Sequence, residues 1–144
     1  MSTSPMDYNA AIIDAFRAGQ GRVGGMWEGT PLLLLHQTGA KSGRRRVTPV
    51  AYMDDGGRYV VIASNGGAPR HPAWVRNLTA EPNVTIEVGT ETVDVVASEA
   101  TGDERERLFR AQAARFPQLA EYERTADRVI PVIVLTPRDD TRRP

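Results

Sequence analysis

Leu32-Leu33-Leu34-Leu35-His36-Gln37-Thr38-Gly39-Ala40-Lys41-Ser42-Gly43-Arg44-Arg45-Arg46-Val47-Thr48-Pro49-Val50-Ala51-Tyr52 sets two apolar segments on either side of a turn that carries two glycines and four cations. Leucines lead into the turn, and β-branched residues with Pro49 lead out of it, so two strands are predicted with the glycines as punctuation. Glycine lets the backbone turn tightly and present N–H groups to an anion. Lys41 and the arginines supply charge, and the guanidinium adds a planar fork suited to phosphate or carboxylate. A P-loop needs four residues between its glycines, a Lys after the second and a helix next. Here three residues separate Gly39 from Gly43, Arg44 follows, and a strand comes next. The plain alternative is a solvated basic hairpin turn.

Working outward, the second strand reaches Met53, meets the turn cluster Asp54-Asp55-Gly56-Gly57 and returns as Arg58 to Ser64, a hairpin with suitable turn chemistry. Val84, Ile86 and Val88 alternate with polar residues, Gly89-Thr90 suits a two-residue turn, and Val93, Val95 and Ala97 continue the alternation, giving a second hairpin. Val129 to Leu135 reads as the last strand, with Pro131 near its start or on an edge. Helices are predicted from Tyr8 to Ala18, with Gly19 as the stop, and after His71-Pro72, where Trp74 and Leu78 share a face. A third starts at a Thr101/Glu104 capping box and breaks at Pro117, and a short continuation places Leu119 and Tyr122 on one side. These elements predict an α+β, mainly β fold: an antiparallel six-stranded sheet closing toward a small barrel, with peripheral helices outside it. Residues 1–137 read as one domain and 138–144 as a polar, disordered tail.

Eighteen basic and eighteen acidic residues balance, so the basic turn is local and no nucleic-acid-binding face is expected. The absence of cysteine removes disulfides, thiolate catalysis and cysteine-based metal sites, and makes the cytoplasm the default compartment. No apolar run approaches the roughly 20 residues that span a bilayer, and a secretory signal is not apparent. Peripheral contact through the first helix is the membrane reading left open, and a homodimer the assembly left open. His36 and His71 alone do not make a metal ligand set, so no metal is expected. No G-x-S-x-G elbow supports hydrolase chemistry. Trp27, Trp74 and Tyr122 either stack on a planar ligand or pack as core. The basic turn, the glycine-rich Asn65-Gly66-Gly67-Ala68-Pro69 and a helix N-terminus at Pro72 all offer donors to anions, which suits a planar ring with a long polyanionic tail.

The strings T-G-A-K-S-G with R-V-T-P-V, then I-A-S-N-G-G-A-P-R-H-P-A-W-V-R-N-L-T-A-E-P-N-V, then E-Y-E-R-T-A-D-R-V-I-P-V-I-V together resemble the deazaflavin-dependent nitroreductase family of actinobacteria, from about Gly21 to Pro137. The resemblance implies a split β-barrel of the flavin-binding type. It also implies that reduced coenzyme F420 donates a hydride from its deazaflavin ring to a quinone or, adventitiously, a nitro-aromatic acceptor. By position it assigns Ala40, Lys41, Ser42, Arg46, Val47, Thr48, Pro49, Val50 and Ala51 to the phosphate and polyglutamate channel. Ile62, Ala63, Ser64 and Asn65 would follow the deazaflavin edge, and Ala73, Trp74, Val75, Arg76 and Asn77 would close around the ring and its side chain. Ser64 and Tyr122 are the candidate catalytic residues, the first as a hydrogen-bonding group and the second as a proton donor or pocket wall; Leu119 and Tyr122 would face the acceptor.

Two departures stand out. Asn65 occupies the place of a Lys in the family's S-K-G-G, and Leu119 the place of a substrate-facing Tyr. Three rival readings share parts of this pattern: an FMN-dependent oxidoreductase on the same barrel, a carrier that binds the deazaflavin without turnover, and an interaction module whose basic turn meets acidic partners.

Overall fold

The computed structural model describes residues 5–24, 30–64, 71–126 and 129–138. The basic turn joins β1 (Leu32–Thr38) to β2 (Arg45–Ala51), paired antiparallel from Leu32 opposite Ala51 to Thr38 opposite Arg45. With β3 (Met53–Asp55), β4 (Arg58–Ile62), β5 (Asn83–Val88), β6 (Glu91–Glu99) and β7 (Val132–Pro137) they form one antiparallel sheet of order β2-β1-β5-β6-β7-β4-β3. Among the described residues seven strands replace the expected six because Tyr52 leaves the ladder and donates its N–H to the Pro31 carbonyl at 3.1 Å, splitting one expected strand into β2 and β3. That single residue shapes the molecule. β2 and β3 adjoin in sequence yet occupy opposite edges of the sheet, so the sheet must curl until its edges approach, which makes a half-barrel. At this seam Tyr52 meets Tyr59 edge-on at 5.6 Å, and burial holds the Tyr52 hydroxyl above the ordinary phenol range.

Among the described residues four helices cover the sheet: α1 (Pro5–Ala18), α2 (Ala73–Ala80), α3 (Gly102–Arg115) and α4 (Gln118–Ala126). The run of four leucines is explained by cover on both faces of β1. Leu33 and Leu35 point into the barrel with Val61, Ile86, Val95, Leu135 and Trp74, while Leu32 and Leu34 pack under Ile12 and Phe16 of α1. β7 divides in the same way, Ile133 and Leu135 facing inward and Val132 and Val134 meeting Leu108, Phe109 and Leu119 of α3 and α4. The apolar side of α1 is thus turned to the protein. Arg17 fixes the end of that helix to Glu87 at 2.7 Å, and Glu87 also contacts His36 Nε2 at 2.6 Å; Arg17 first, and then His36, hold the Glu87 carboxyl below the usual range. No helix among the described residues is long and apolar enough to cross a membrane.

Several local expectations change. β7 begins at Val132, and Pro131 precedes it, its carbonyl accepting the Ala63 N–H at 2.9 Å. Thr101 stands at the N-cap of α3 but makes no side-chain cap bond. Gly102 takes a left-handed φ of 60°, which breaks the helical geometry a capping box needs, and Glu104 lies 3.5 Å from Arg58 instead. Arg138 is held to β6, its N–H donating to the Asp94 carbonyl at 3.0 Å and its guanidinium 3.2 Å from the Asp94 carboxylate. The rest of the expected tail, Trp27 and the Asn65 to Pro69 loop lie outside the described residues.

Candidate functional site

The glycine turn closes on itself. Gly39 N–H donates to the Arg44 carbonyl at 2.8 Å and Gly43 N–H to the Gly39 carbonyl at 2.9 Å, with Gly43 at a φ of 72° that a side chain would strain. A buried relay then ties the turn to α2. Gln37 Nε2 donates to Thr48 Oγ1 at 2.8 Å, Asn77 Nδ2 donates to Gln37 Oε1 at 2.7 Å, and Asn77 Oδ1 accepts the Ala40 N–H at 2.8 Å. Gln37 and Asn77 are 2% and 5% exposed, so these bonds act with little solvent competition and fix the turn against the helix.

Between turn and helix lies a cleft of about 880 Å³, whose walls include Lys41, Ser42, Arg46, Ala73, Arg76 and Asn77. α2 opens onto it with Pro72 as N-cap, no side-chain cap bond and no acidic residue in its first turn. The positive end of the helix therefore adds to the cationic wall. Arg17, Arg58, Arg105, Arg107 and Arg124 each have a carboxylate partner, whereas among the described residues Lys41, Arg46 and Arg76 at the cleft have none, nor do Arg44 and Arg45 in the turn or Arg22, Arg110 and Arg115 elsewhere. Three of these cations, Lys41, Arg46 and Arg76, thus stand unneutralised at one cleft, which is the arrangement of an anion site.

A smaller hollow of about 400 Å³, bounded by Gln37, Arg46, Thr48, Pro72 and Trp74, continues from the cleft. Pro72 and Trp74 also border a slot of about 510 Å³ walled by Pro49, Val50, Ala51, Ile62, Phe116 and Leu119. Its polar side chains are Thr30, Ser64, Gln112, Gln118 and Tyr122. Cationic cleft, hollow and largely apolar slot thus adjoin one another, with Pro72 in the wall of all three.

Of the residues assigned from the sequence, Ala40, Lys41, Ser42, Arg46, Ala73, Val75, Arg76 and Asn77 meet in the cleft. Pro49, Val50, Ala51, Ile62, Ser64, Trp74, Leu119 and Tyr122 meet in the slot, and Thr48 lies in the hollow between. Val47 instead packs under α1, and Ala63 is fully buried in the barrel core, so neither borders these cavities. Asn65 lies outside the described residues. Sequence reasoning missed Thr30, Gln37, Gln112, Phe116 and Gln118. For Gln112 there was a signal: it falls on the buried stripe of α3 with Arg105, Leu108 and Phe109, where an amide needs a reason to be. Among the described residues no cluster of three or more His, Asp or Glu side chains is placed to hold a metal ion.

The family model for F420H(2)-dependent quinone reductases matches residues 10–137. An F420H(2)-dependent quinone reductase of Mycobacterium tuberculosis is 39% identical over 127 residues, covering 85% of each chain. Among solved structures, an F420-H2 dependent reductase, FDR-A, is 39% identical with a TM-score of 0.67, covering 73% of this chain and 93% of its own. A domain-swapped dimer is 34% identical with a TM-score of 0.69, covering 92% of this chain and 99% of its own. The split-barrel sheet, the adjoining cavities and these relatives converge: the chain belongs to the F420H(2)-dependent quinone reductase family.

Proposed function

We propose that the protein reduces quinones with reduced coenzyme F420, holding the coenzyme's anionic tail in the cationic cleft and its ring at the slot. The unneutralised charges of the cleft, beside an apolar slot, carry this reading. The residues present fit the group. A phosphate and several carboxylates match Lys41, Arg46, Arg76 and the uncapped start of α2, and a planar deazaflavin matches a slot walled by Trp74, Pro49 and Ile62. FMN offers one phosphate and leaves most of the cationic wall without a partner.

When bound, the coenzyme supplies a hydride, which with a proton converts the quinone to a hydroquinone. The chain's part is to orient and to exclude water. The relay from Thr48 through Gln37 and Asn77 holds the turn, so the backbone that carries Lys41 and Arg46 is in place before the ligand arrives. Val50, Ile62, Phe116 and Leu119 shield the ring face of the slot from solvent. Ser64 offers a hydrogen bond at the ring end, and the half-buried Tyr122 on α4 faces the acceptor. Nitro-aromatic acceptors enter the same slot, with Leu119 giving a less polar wall than tyrosine. The domain-swapped relative supports a homodimer, which sedimentation would register as twice the chain mass.

Equilibrium titration against both cofactors, followed by anaerobic turnover with a panel of quinones, tests the proposal. Tighter binding of F420 than of FMN and oxidation of one coenzyme per quinone consumed are expected. FMN binding equally well would contradict the cofactor assignment, and F420 binding without turnover of any quinone would leave a carrier.

A further inference from the structure

Four polar or charged side chains are buried among the described residues: Gln37, Asn77, Arg105 and Gln112. Gln37 and Asn77 bond at both ends of their amides within the relay. Arg105 lends its terminal nitrogens to Glu106 at 2.9 Å, to Glu123, and to the Ile130 carbonyl at 2.7 Å, and its guanidinium lies 4.5 Å over the Phe109 ring. Gln112 differs. It is 4% exposed, its Oε1 has no hydrogen-bond partner among the described residues, and it borders the slot beside Phe116, Leu119 and Tyr122. A folded protein does not keep an unmatched buried amide for stability, since an apolar side chain of the same shape would serve better there.

We propose that the Gln112 amide holds an oxygen of the acceptor in the slot, a specificity-determining contact for quinones. This rests on the reading of the slot as the reaction site. A quinone is an apolar ring with carbonyl oxygens at its edge, and the slot is apolar around a small set of polar groups, which is the match. The amide carries two N–H donors as well as Oε1, and no bond of these donors is formed among the described residues. It can therefore donate to the carbonyl of the quinone and continue to donate as negative charge grows on that oxygen during reduction. It moves no proton itself. Placement on α3 makes the contact rigid, because Leu108 and Phe109 one turn earlier are buried in the core and the Phe116 N–H closes the helix onto the Gln112 carbonyl at 2.9 Å.

Gln112→Met keeps the length of the side chain and removes its hydrogen bonding. Binding is read on coenzyme-free protein by quenching of tryptophan fluorescence, using menadione and 2-methylnaphthalene, which has the same ring system without oxygens. The variant should bind menadione roughly five- to tenfold more weakly, the worth of one neutral hydrogen bond, and bind 2-methylnaphthalene as the wild type does. Its melting temperature should be unchanged or higher, and kcat/KM for menadione should fall at least tenfold with F420 affinity within twofold. Gln112→Glu offers only acceptors once ionised, and because burial raises a carboxyl pKa its menadione affinity should fall to that of Met at alkaline pH. Equal losses for both naphthalenes would make Gln112 a packing residue, and no loss in either variant would overturn the contact. Should wild-type protein bind menadione and yet leave reduced F420 unoxidised, the quinone-reductase reading fails while the Gln112 contact stands.

Discussion

Lys41 and Arg46 were legible in the sequence because charge and spacing within one turn are local facts. Gln37, Asn77 and Gln112 were not, because what they do depends on partners or a cavity brought in from other elements; the Asn77 to Gln37 bond spans 40 positions. Their removal has distinct consequences. Asn77→Ala leaves the Gln37 Oε1 and the Ala40 N–H without partners, and should destabilise the protein by about 2–3 kcal/mol in urea unfolding while loosening coenzyme binding. If only net bond energy mattered, the loss would stay near 1 kcal/mol. Tyr122→Phe keeps the slot wall and removes the hydroxyl. A fall in kcat of about 10²-fold with unchanged F420 affinity would show that the hydroxyl assists proton transfer, the outcome expected here; equal rates would leave only the ring.

At the scale of elements, alternation and turn residues revealed the hairpins and both long helices, since those signals arise within each segment. The split at Tyr52 was hidden: nothing in a run of β-branched residues says that a main-chain bond to Pro31 will end one pairing and begin another. The capping box failed for a related reason, Gly102 being free to adopt the left-handed φ that a different residue would resist. Thr101→Ala should therefore change stability by less than about 0.5 kcal/mol, against about 1 kcal/mol for a bonded cap; a larger loss in thermal unfolding would restore the cap. The β3–β4 hairpin is fastened to α3 through Asp55, which meets Arg107 at 3.1 Å and also pairs with Arg58. Arg107 first, then Arg58, lower the Asp55 pKa from 3.8 to about 2. A lowered carboxylate pKa stabilises the fold fully above the ordinary range and loses that effect as pH falls through about 2. Asp55 is partly solvated, so Asp55→Asn should cost only about 0.5–1 kcal/mol at neutral pH, the gap between variant and wild type closing in acid. A gap that persists at pH 2 would assign the loss to packing.

For the whole molecule, curling the sheet to bring its edges together places the basic turn, the start of α2 and the ends of α3 and α4 around the adjoining cleft and slot. The barrel class was readable from the hairpins, but the meeting of these four segments was not, because it follows from sheet closure. The division between a cationic cleft for the tail and an apolar slot for the ring is the central claim. It is tested most directly by titrating wild type, Lys41→Ala and Arg46→Ala with full F420 and with a deazaflavin lacking the phosphate and glutamates. Wild type should prefer the full coenzyme. Each variant should lose about 0.5–1 kcal/mol, a few-fold, toward it, with the loss fading as salt rises, and should bind the tail-less ring as wild type does. Equal affinity of wild type for the two ligands, or equal losses toward both in the variants, would contradict the account.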